Sequence, residues 1–402
     1  MKVIDFFSGC GGASEGLRQA GLDITIGLDF DIKAAETYQA NFPEALFYNV
    51  DIRELDEKEL AKAFKEKNRE KEPLLFVACA PCQPFSTQNK SKSEDDIRRT
   101  LLDETHRFIS KLKPEYILVE NVPGLQKIDK EKDGPYKRFI TFLESKKYKI
   151  TEFIAKSEEY GVPQKRKRFV LLASKSGKIE IPAKTHGEGL EPIKTVRDFI
   201  GEFPAIKAGE IHPDDLWHRS PTLNERNLVR IQNTPEGGDR RHWPNHLINE
   251  CHKAHSGHMD VYGRMSWDKP APTLTTRCYS YSNGRFGHPD TNQHRAISVR
   301  EASRLQTFPQ DFIFKGSVVE ASRQIGNAVP CEMAKQFGLS ILKHYEEVKI
   351  KMAKIKTRAR TLDMLGRQQI AGIPTALSEL FKNAHDAYAD NVEVDYIRKK
   401  IY

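Results

Sequence analysis

No apolar run in this sequence approaches the roughly 18 residues that a membrane-crossing helix requires, so no spanning segment is expected. The N-terminus enters an apolar strand at once, without a basic region leading into a long apolar core. No secretory leader is therefore expected, and the chain is placed in the cytoplasm. Cysteine is scarce, with six residues at 10, 79, 82, 251, 278 and 331, and no repeated pair carries the spacing of a structural zinc site. Cys79 and Cys82 form a C-x-x-C, but Pro81 and Pro84 and the lack of a second pair argue against zinc, leaving a redox dithiol as the lesser reading. Acidic residues are in deficit, 56 against 64 Lys and Arg, and the net charge of +8 favours a polyanionic partner in a supporting way only. At 402 residues the chain has length for two or three domains and a large core.

The chain is organised around Pro81-Cys82-Gln83-Pro84-Phe85-Ser86. The apolar run Leu74 to Ala78 before it reads as a short buried strand, so Cys82 falls where a strand yields to a loop, the usual seat of chemistry in an open α/β sheet. Prolines on both sides restrict the backbone and remove amide donors, which makes a turn rigid enough to aim a sulfur. Cys82 is the candidate nucleophile; an ordinary buried thiol is the alternative.

Upstream, residues 2 to 7 read as a strand, followed by Ser8-Gly9-Cys10-Gly11-Gly12 and a helix from about Ala13 to Ala20. Strand, glycine-rich turn and helix suit a nucleotide-type ligand, because glycine lets the backbone approach closely. A second strand, Ile24 to Leu28, ends at Asp29, whose carboxylate could accept from ribose hydroxyls. A third, Leu46 to Val50, ends at Asp51, within reach of an adenine edge. The spacing F-x-G-x-G-G, unlike G-x-G-x-x-G, fits an adenosyl ligand without a pyrophosphate. Glu54 to Glu72 is a charged, structural helix. Thr87 to Arg99 is polar and aperiodic, a loop long enough to act as a lid. A helix at Leu101 to Leu112 and a strand at Tyr116 to Val119 follow, ending at Glu120-Asn121-Val122-Pro123. A Glu at the end of a buried strand is paired or functional, and it shares a sheet edge with Cys82. Strands at Lys149 to Ala155 and Arg168 to Ala173 flank Gln164-Lys165-Arg166-Lys167-Arg168, a basic run that alone reads as solvated surface.

Together these segments resemble the DNA cytosine-5 methyltransferase family. The resemblance rests on DFFSGCGG at 5–12, PCQPFS at 81–86, ENVPGL at 120–125, QKRKR at 164–168, REASRLQTFP at 300–309 and QIGNAVP at 324–330, and it covers residues 1 to about 345. It implies an α/β fold: a Rossmann-like, mostly parallel sheet of the S-adenosylmethionine-dependent type with helices on both faces. Residues 1–173 and 295–345 would form the catalytic domain and 174–294 an inserted target-recognition domain. The resemblance also implies that QIGNAVP packs beside the glycine loop.

By the same resemblance, S-adenosylmethionine is the cofactor, double-stranded DNA the substrate, and Phe7, Gly9, Gly11, Asp29, Phe30, Asp51, Ile52, Pro81, Leu101, Asn327 and Val329 hold the cofactor. Cys82, Glu120, Arg166 and Arg168 form the catalytic set: the Cys82 thiolate attacks C6 of a flipped cytosine, Glu120 protonates N3 and Arg168 holds O2. A free thiol of pKa about 8.5 is a few per cent ionised at neutral pH, so a neighbouring cation such as Arg168 would help form the thiolate. Gln83, Ser86, Gln164, Arg240, Arg241 and Arg277 are the expected DNA contacts. Within the insert Trp217, His218, His242, Trp243, Tyr279, Tyr281 and Arg285 also suit phosphates and bases. A restriction endonuclease or other defence partner and a monomeric state are expected. The competing readings are a tRNA cytosine-5 methyltransferase and a catalytically silent DNA-binding module; an insert of this size and the intact Cys82, Glu120 and Arg168 disfavour them.

Beyond about Tyr345 the resemblance ends. A basic linker, 346–362, leads to Glu379-Leu380-Phe381-Lys382-Asn383-Ala384-His385-Asp386-Ala387. E-x-x-x-N-A-x-D-A resembles the first box of the GHKL ATPases, so 363–402 is expected to be a truncated fragment of such a domain that binds no ATP; an amphipathic helix is the alternative.

Overall fold

The computed structural model describes residues 1–80, 101–125, 134–250 and 260–367, with Ser378, Phe381 and Lys382; for 352–367 it describes the backbone alone. Strand and helix alternate at first: β1 (Lys2–Phe6), α1 (Gly12–Gln19), β2 (Asp23–Leu28), α2 (Ile32–Asn41), β3 (Leu46–Tyr48), α3 (Glu57–Lys67) and β4 (Leu74–Ala78). Then come α4 (Leu101–Leu112), β5 (Tyr116–Asn121), α5 (Pro135–Ser145), β6 (Lys149–Lys156), β7 (Gln164–Lys165) and β8 (Lys167–Ser174). Seven strands form one sheet in the order β3-β2-β1-β4-β5-β8-β6. Neighbours from β3 to β5 are parallel, whereas β8 runs antiparallel to β5 and β6.

Local chemistry explains the helices. Asp31 caps α2 by accepting from Lys33 N and Ala34 N, and Asp56 caps α3 through Lys58 N at 2.8 Å. Glu57 and Glu59 in the first turn of α3 and Lys65 and Lys67 in its last complement the helix dipole. The two-residue alternation of β1 sends Ile4 and Phe6 to one face, where Phe6 stacks on Phe76 at 4.2 Å and meets Phe108 of α4 at 5.1 Å. Leu60, Ile109, Phe139 and Leu143 from α3, α4 and α5 close that side of the core. A fully buried side chain of this size stabilises by about 1.5–3 kcal/mol, so this layer fixes the sheet. The opposite face receives Asp5 of β1, whose carboxylate accepts from Ser14 Oγ of α1 at 2.6 Å.

After β8 come α6 (Val196–Ile200), the antiparallel pair β9 (Ile211–His212) and β10 (Asp215–Arg219), α7 (Glu225–Gln232) and β11 (Ala271–Pro272). Strand β11 pairs in parallel with β7, not with the main sheet. Arg264 is fully buried, donating from Nε to the Thr234 carbonyl at 2.8 Å and from its terminal nitrogens to the carbonyls of Ile231 and His288. This segment is thus held by a guanidinium hub and a small apolar cluster instead of a sheet. Helices α8 (Val299–Leu305) and α9 (Val318–Asn327), each opened by a Ser/Glu capping box, and α10 (Cys331–Arg367) complete the order. The chain divides into two compact units, Met1–Ser340 and Ile341–Tyr402. The 346–362 stretch is helical within α10, and Glu379, Asn383 and Asp386 lie outside the described residues. No helix among the described residues is long and apolar enough to cross a membrane.

Candidate active site

The carboxyl ends of β1 to β5 open onto a cavity of about 510 Å³, within the roughly 300–1,000 Å³ typical of ligand pockets. Its wall begins at the turn after β1. Phe7 there adopts φ 59°, a left-handed conformation that costs a non-glycine residue on the order of 1–3 kcal/mol and is found mostly at functional sites. Gly9 N donates to Asp29 Oδ2 at 2.8 Å, and Asp31 N donates to Asp29 Oδ1 at 2.9 Å. The Asp29 carboxyl is pushed upward by burial, against the pull of those bonds. Phe30 beside it is 66% exposed although it lines the cavity, the state of a ring with a face to offer a ligand. Asp51 lies farther along the rim, held by Arg53 Nε at 2.9 Å, which draws its carboxyl below the usual range.

Phe7, Gly9, Asp29, Phe30, Asp51, Ile52, Leu101, Asn327 and Val329 all line this one cavity, brought together from five segments. Gly11 does not line it. It is the left-handed N-cap of α1 at φ 96°, and a Cβ there would meet Phe42 at 2.5 Å, so the constraint on it is helix entry and packing against α2. Residues missed by sequence reasoning include Asp5, Ser8, Arg53, Arg323 and Gln324. The end of α9 packs against the glycine loop, with Cys10 Sγ 3.7 Å from the Gln324 carbonyl.

At the other end of the cavity stands Glu120, the fifth residue of β5 and 8% exposed. Arg168 Nε lies 2.8 Å from Glu120 Oε1, yet that oxygen accepts no hydrogen bond among the described residues: the two charges touch without an aligned N–H. Strands β4 and β5 run in register, Ala78 opposite Val119, which sets Cys79 beside Glu120. Burial pushes the Cys79 thiol well up, and the charges of Glu120 and Asp5 add to it, opposite to what a reactive dithiol needs. Asn121 Nδ2 donates to the Ala80 carbonyl at 3.1 Å, tying the segment that leads to Cys82 to the end of β5. Pro81, Cys82, Gln83 and Ser86 lie outside the described residues, as does the Thr87 to Arg99 stretch.

The basic run Gln164 to Arg168 is not simply surface. Gln164 and Arg166 are buried while Lys165 and Lys167 are exposed, a two-residue alternation. The Arg166 guanidinium donates to the carbonyls of Leu274, Gly326 and Ala328 at 3.1–3.3 Å. Arg166 therefore joins three distant segments at the cavity wall. Gln164, expected to touch DNA, is fully buried: its amide donates to Gln306 Oε1 at 2.9 Å and its carbonyl accepts from Leu274 N at 3.0 Å. Its bonding capacity is spent inside the protein.

The expected DNA contacts of the insert separate in the same way. His218 sits between Ser298 Oγ and the Pro204 carbonyl, Trp243 Nε1 donates to Thr234 Oγ1 at 2.8 Å, and Tyr281 is 1% exposed. Arg285 is spent on the Gly237 and Gly238 carbonyls and on Asp260, and Arg240 is 5% exposed. His218, Trp243, Tyr281 and Arg240 build the interior of the segment, and Arg285 is half-buried. Arg241, His242 and Arg277 are exposed, and Trp217 and Tyr279 are half-buried.

A seven-stranded sheet with one antiparallel strand, an adenosyl-sized cavity at its carboxyl edge and a carboxylate at that edge define an S-adenosylmethionine-dependent methyltransferase. The C-5 cytosine-specific DNA methylase family matches residues 1–343, and the chain belongs to it. It is a DNA cytosine-5 methyltransferase whose methyl donor is S-adenosylmethionine. Among its relatives is the type II methylase M.HgiDII of Herpetosiphon aurantiacus, 41% identical over 350 residues and covering 86% of this chain and 96% of the relative. The type II methyltransferase M.PspPI of Psychrobacter sp. is 33% identical over 350 residues, covering 85% and 79%. A solved prophage-encoded E. coli protein, described as a DNA modification methyltransferase, superposes with a TM-score of 0.65 at 25% identity over 85% of this chain and 99% of that one.

Proposed function

We propose that this enzyme methylates cytosine within a specific sequence of duplex DNA through the Cys82 thiolate, with Glu120 and Arg168 acting on the ring. The observation that carries this reading is the Glu120–Arg168 contact at the carboxyl end of β5, with Glu120 Oε1 buried and still without a hydrogen-bond donor among the described residues. Cytosine C6 is a poor electrophile, and C5 is no nucleophile until something adds at C6. The thiolate forms a bond to C6 while Glu120 gives a proton to N3, and Arg168 orients the Glu120 carboxyl and holds O2. S-adenosylmethionine, held by the Asp29 and glycine-loop wall, supplies an electrophilic methyl group for C5. A solvent water takes the C5 proton, the electrons of that C–H bond restore the C5–C6 double bond and expel Cys82 as thiolate, and N3 returns its proton to Glu120. The base must leave the helix for C6 to be reached, at an unstacking cost of a few kcal/mol.

Residues 174–294 form the recognition part, reading DNA from its exposed Arg241 and Arg277, while Arg166, which lines the cavity, holds its wall together through the Leu274, Gly326 and Ala328 carbonyls. The type II names of the relatives support a place in a restriction-modification system; an endonuclease partner, a cytoplasmic location and a monomeric state complete the proposal. The 346–362 helix links this enzyme to the GHKL-like start at 363–402. Methyl transfer from labelled donor to duplex DNA and to tRNA, with bisulfite sequencing and Cys82→Ser as control, tests the proposal. Label in DNA that vanishes in C82S supports it; label in tRNA alone overturns the substrate.

A further inference from the structure

The cavity is crowded with charge, and almost all of it is paired. Arg53 meets Asp51, Arg168 meets Glu120, Arg323 meets Asp31 at 2.8 Å, and Arg166 is bound to carbonyls. Asp29 has no cation but accepts two backbone N–H groups. Asp5 has neither. It is 0% exposed, lines the cavity, and its Oδ1 has no hydrogen-bond partner. Its Oδ2 takes one bond, from Ser14 Oγ, whose hydroxyl lies 2.9 Å from Tyr38 OH.

The groups facing Asp5 offer no positive charge. Besides Ser14 of α1, they are Tyr38 from α2, Asp29 from the end of β2 and Cys79 from the end of β4. Tyr38 and Cys79 are both pushed well up, first by burial, so neither ionises at neutral pH. Burial raises the Asp5 carboxyl to about 7, with the Ser14 bond opposing and the Asp29 charge adding. An unpaired carboxylate in such a place is costly, and a ligand that brings a cation removes the cost. S-adenosylmethionine carries a sulfonium and an ammonium against one carboxylate, a net positive charge.

We propose that Asp5 is a proton-exchanging counter-charge for the methyl donor: its carboxyl holds a proton in the donor-free enzyme and releases it to solvent as the donor's positive charge arrives. The inference rests on the cavity being the S-adenosylmethionine site. The step balances as one carboxylic acid giving one carboxylate and one proton taken up by buffer. Donor binding therefore strengthens as pH rises toward and through neutrality and levels off above it.

Isothermal titration calorimetry of S-adenosylmethionine into the full chain, in buffers of low and high ionisation enthalpy, reads the proton directly. About 0.7 proton is expected to be released at pH 6.5, with affinity rising about fivefold between pH 6 and 7, below the range in which the donor's own α-amino group titrates. Asp5→Asn should release no proton on donor binding at pH 6.5, and its affinity should be flat between pH 6 and 7, below the range in which the donor's own amino group titrates. Infrared difference spectra of the unaltered enzyme should lose a carboxylic acid C=O band on donor binding, a readout that stands even if the variant does not fold. Donor binding with a buffer-independent enthalpy, or proton release that persists in D5N, overturns the proposal. Failure to bind the donor at all overturns the assignment of the cavity instead.

Discussion

Arg168 Nε stands 2.8 Å from Glu120 Oε1, so a side chain from the one antiparallel strand of the main sheet reaches the carboxyl edge of a parallel one. If the pair orients the carboxyl toward N3, Glu120→Gln lowers kcat by about 10²–10⁴-fold, the range for losing a general acid. Arg168→Lys keeps the charge but not the planar geometry and should fall between wild type and Arg168→Ala. Single-turnover rates with DNA affinity measured in parallel check this; a loss confined to DNA affinity would count against it.

Asp29 accepts two backbone N–H groups at the rim of the proposed donor cavity. Asp29→Ala leaves both donors unpaired and removes an acceptor from the ligand. Donor Kd is expected to rise by about 10–100-fold, the worth of about 1.5–3 kcal/mol for bonds to a charged group. Equilibrium dialysis with labelled donor measures it.

Gly326 lies against the peptide that follows β11: a Cβ there would sit 2.3 Å from the Thr275 carbonyl carbon and 2.4 Å from Thr276 N. Backbone cannot move aside cheaply, so Gly326→Ala should destabilise by about 1–3 kcal/mol and shift both donor and DNA affinity. Arg166→Met, which strips donors from three carbonyls, should cost about 2–4 kcal/mol. Urea unfolding midpoints at constant m-value test both.

Two buried carboxyls give opposite pH dependences of stability. Glu301 is held well below its usual range by Arg295 and His288 despite burial, so its contribution is present above about pH 4.5 and is lost as pH falls through the lowered folded value. Asp5 binds a proton more tightly folded than unfolded. Its stabilising share is complete below about pH 3.9 and declines as pH rises toward 7, by at most about 1.4 kcal/mol per unit. Asp5→Asn should therefore flatten the neutral part of the donor-free stability profile, and Glu301→Gln the acid part.

Much of this arrangement can be read along the chain because it is local. The helix expected at Leu101 to Leu112 has those bounds, and the strands before Gly9 and Asp29 end where glycine or turn residues break the apolar run. Parallel pairing then brings these ends to one edge without further instruction. The strand at Tyr116 runs on to Asn121, so Glu120 lies inside it, and β3 stops at Tyr48, three residues before Asp51. The basic run at 164–168 misled because charge suggests surface, although its alternate residues turn inward to orphan carbonyls more than 100 positions away. The aromatic and arginine residues of the insert misled likewise: with little regular structure to bury, that segment uses Trp243, Tyr281, Arg240 and Arg264 as its interior. Such roles depend on partners distant in sequence, which no local pattern encodes.

The pairing of β11 with β7 pins the two ends of an excursion on the order of a hundred residues through a main-chain bond, Ala271 N to the Pro163 carbonyl at 2.8 Å, to which the Thr273 hydroxyl adds a bond to the Lys165 carbonyl at 2.7 Å. Peptide groups are nearly blind to the side chains around them. A clasp of this kind fixes where the chain returns after β8: the residues between Ser174 and Ala271 can drift or lengthen, while the sheet that performs the chemistry keeps the same anchor point.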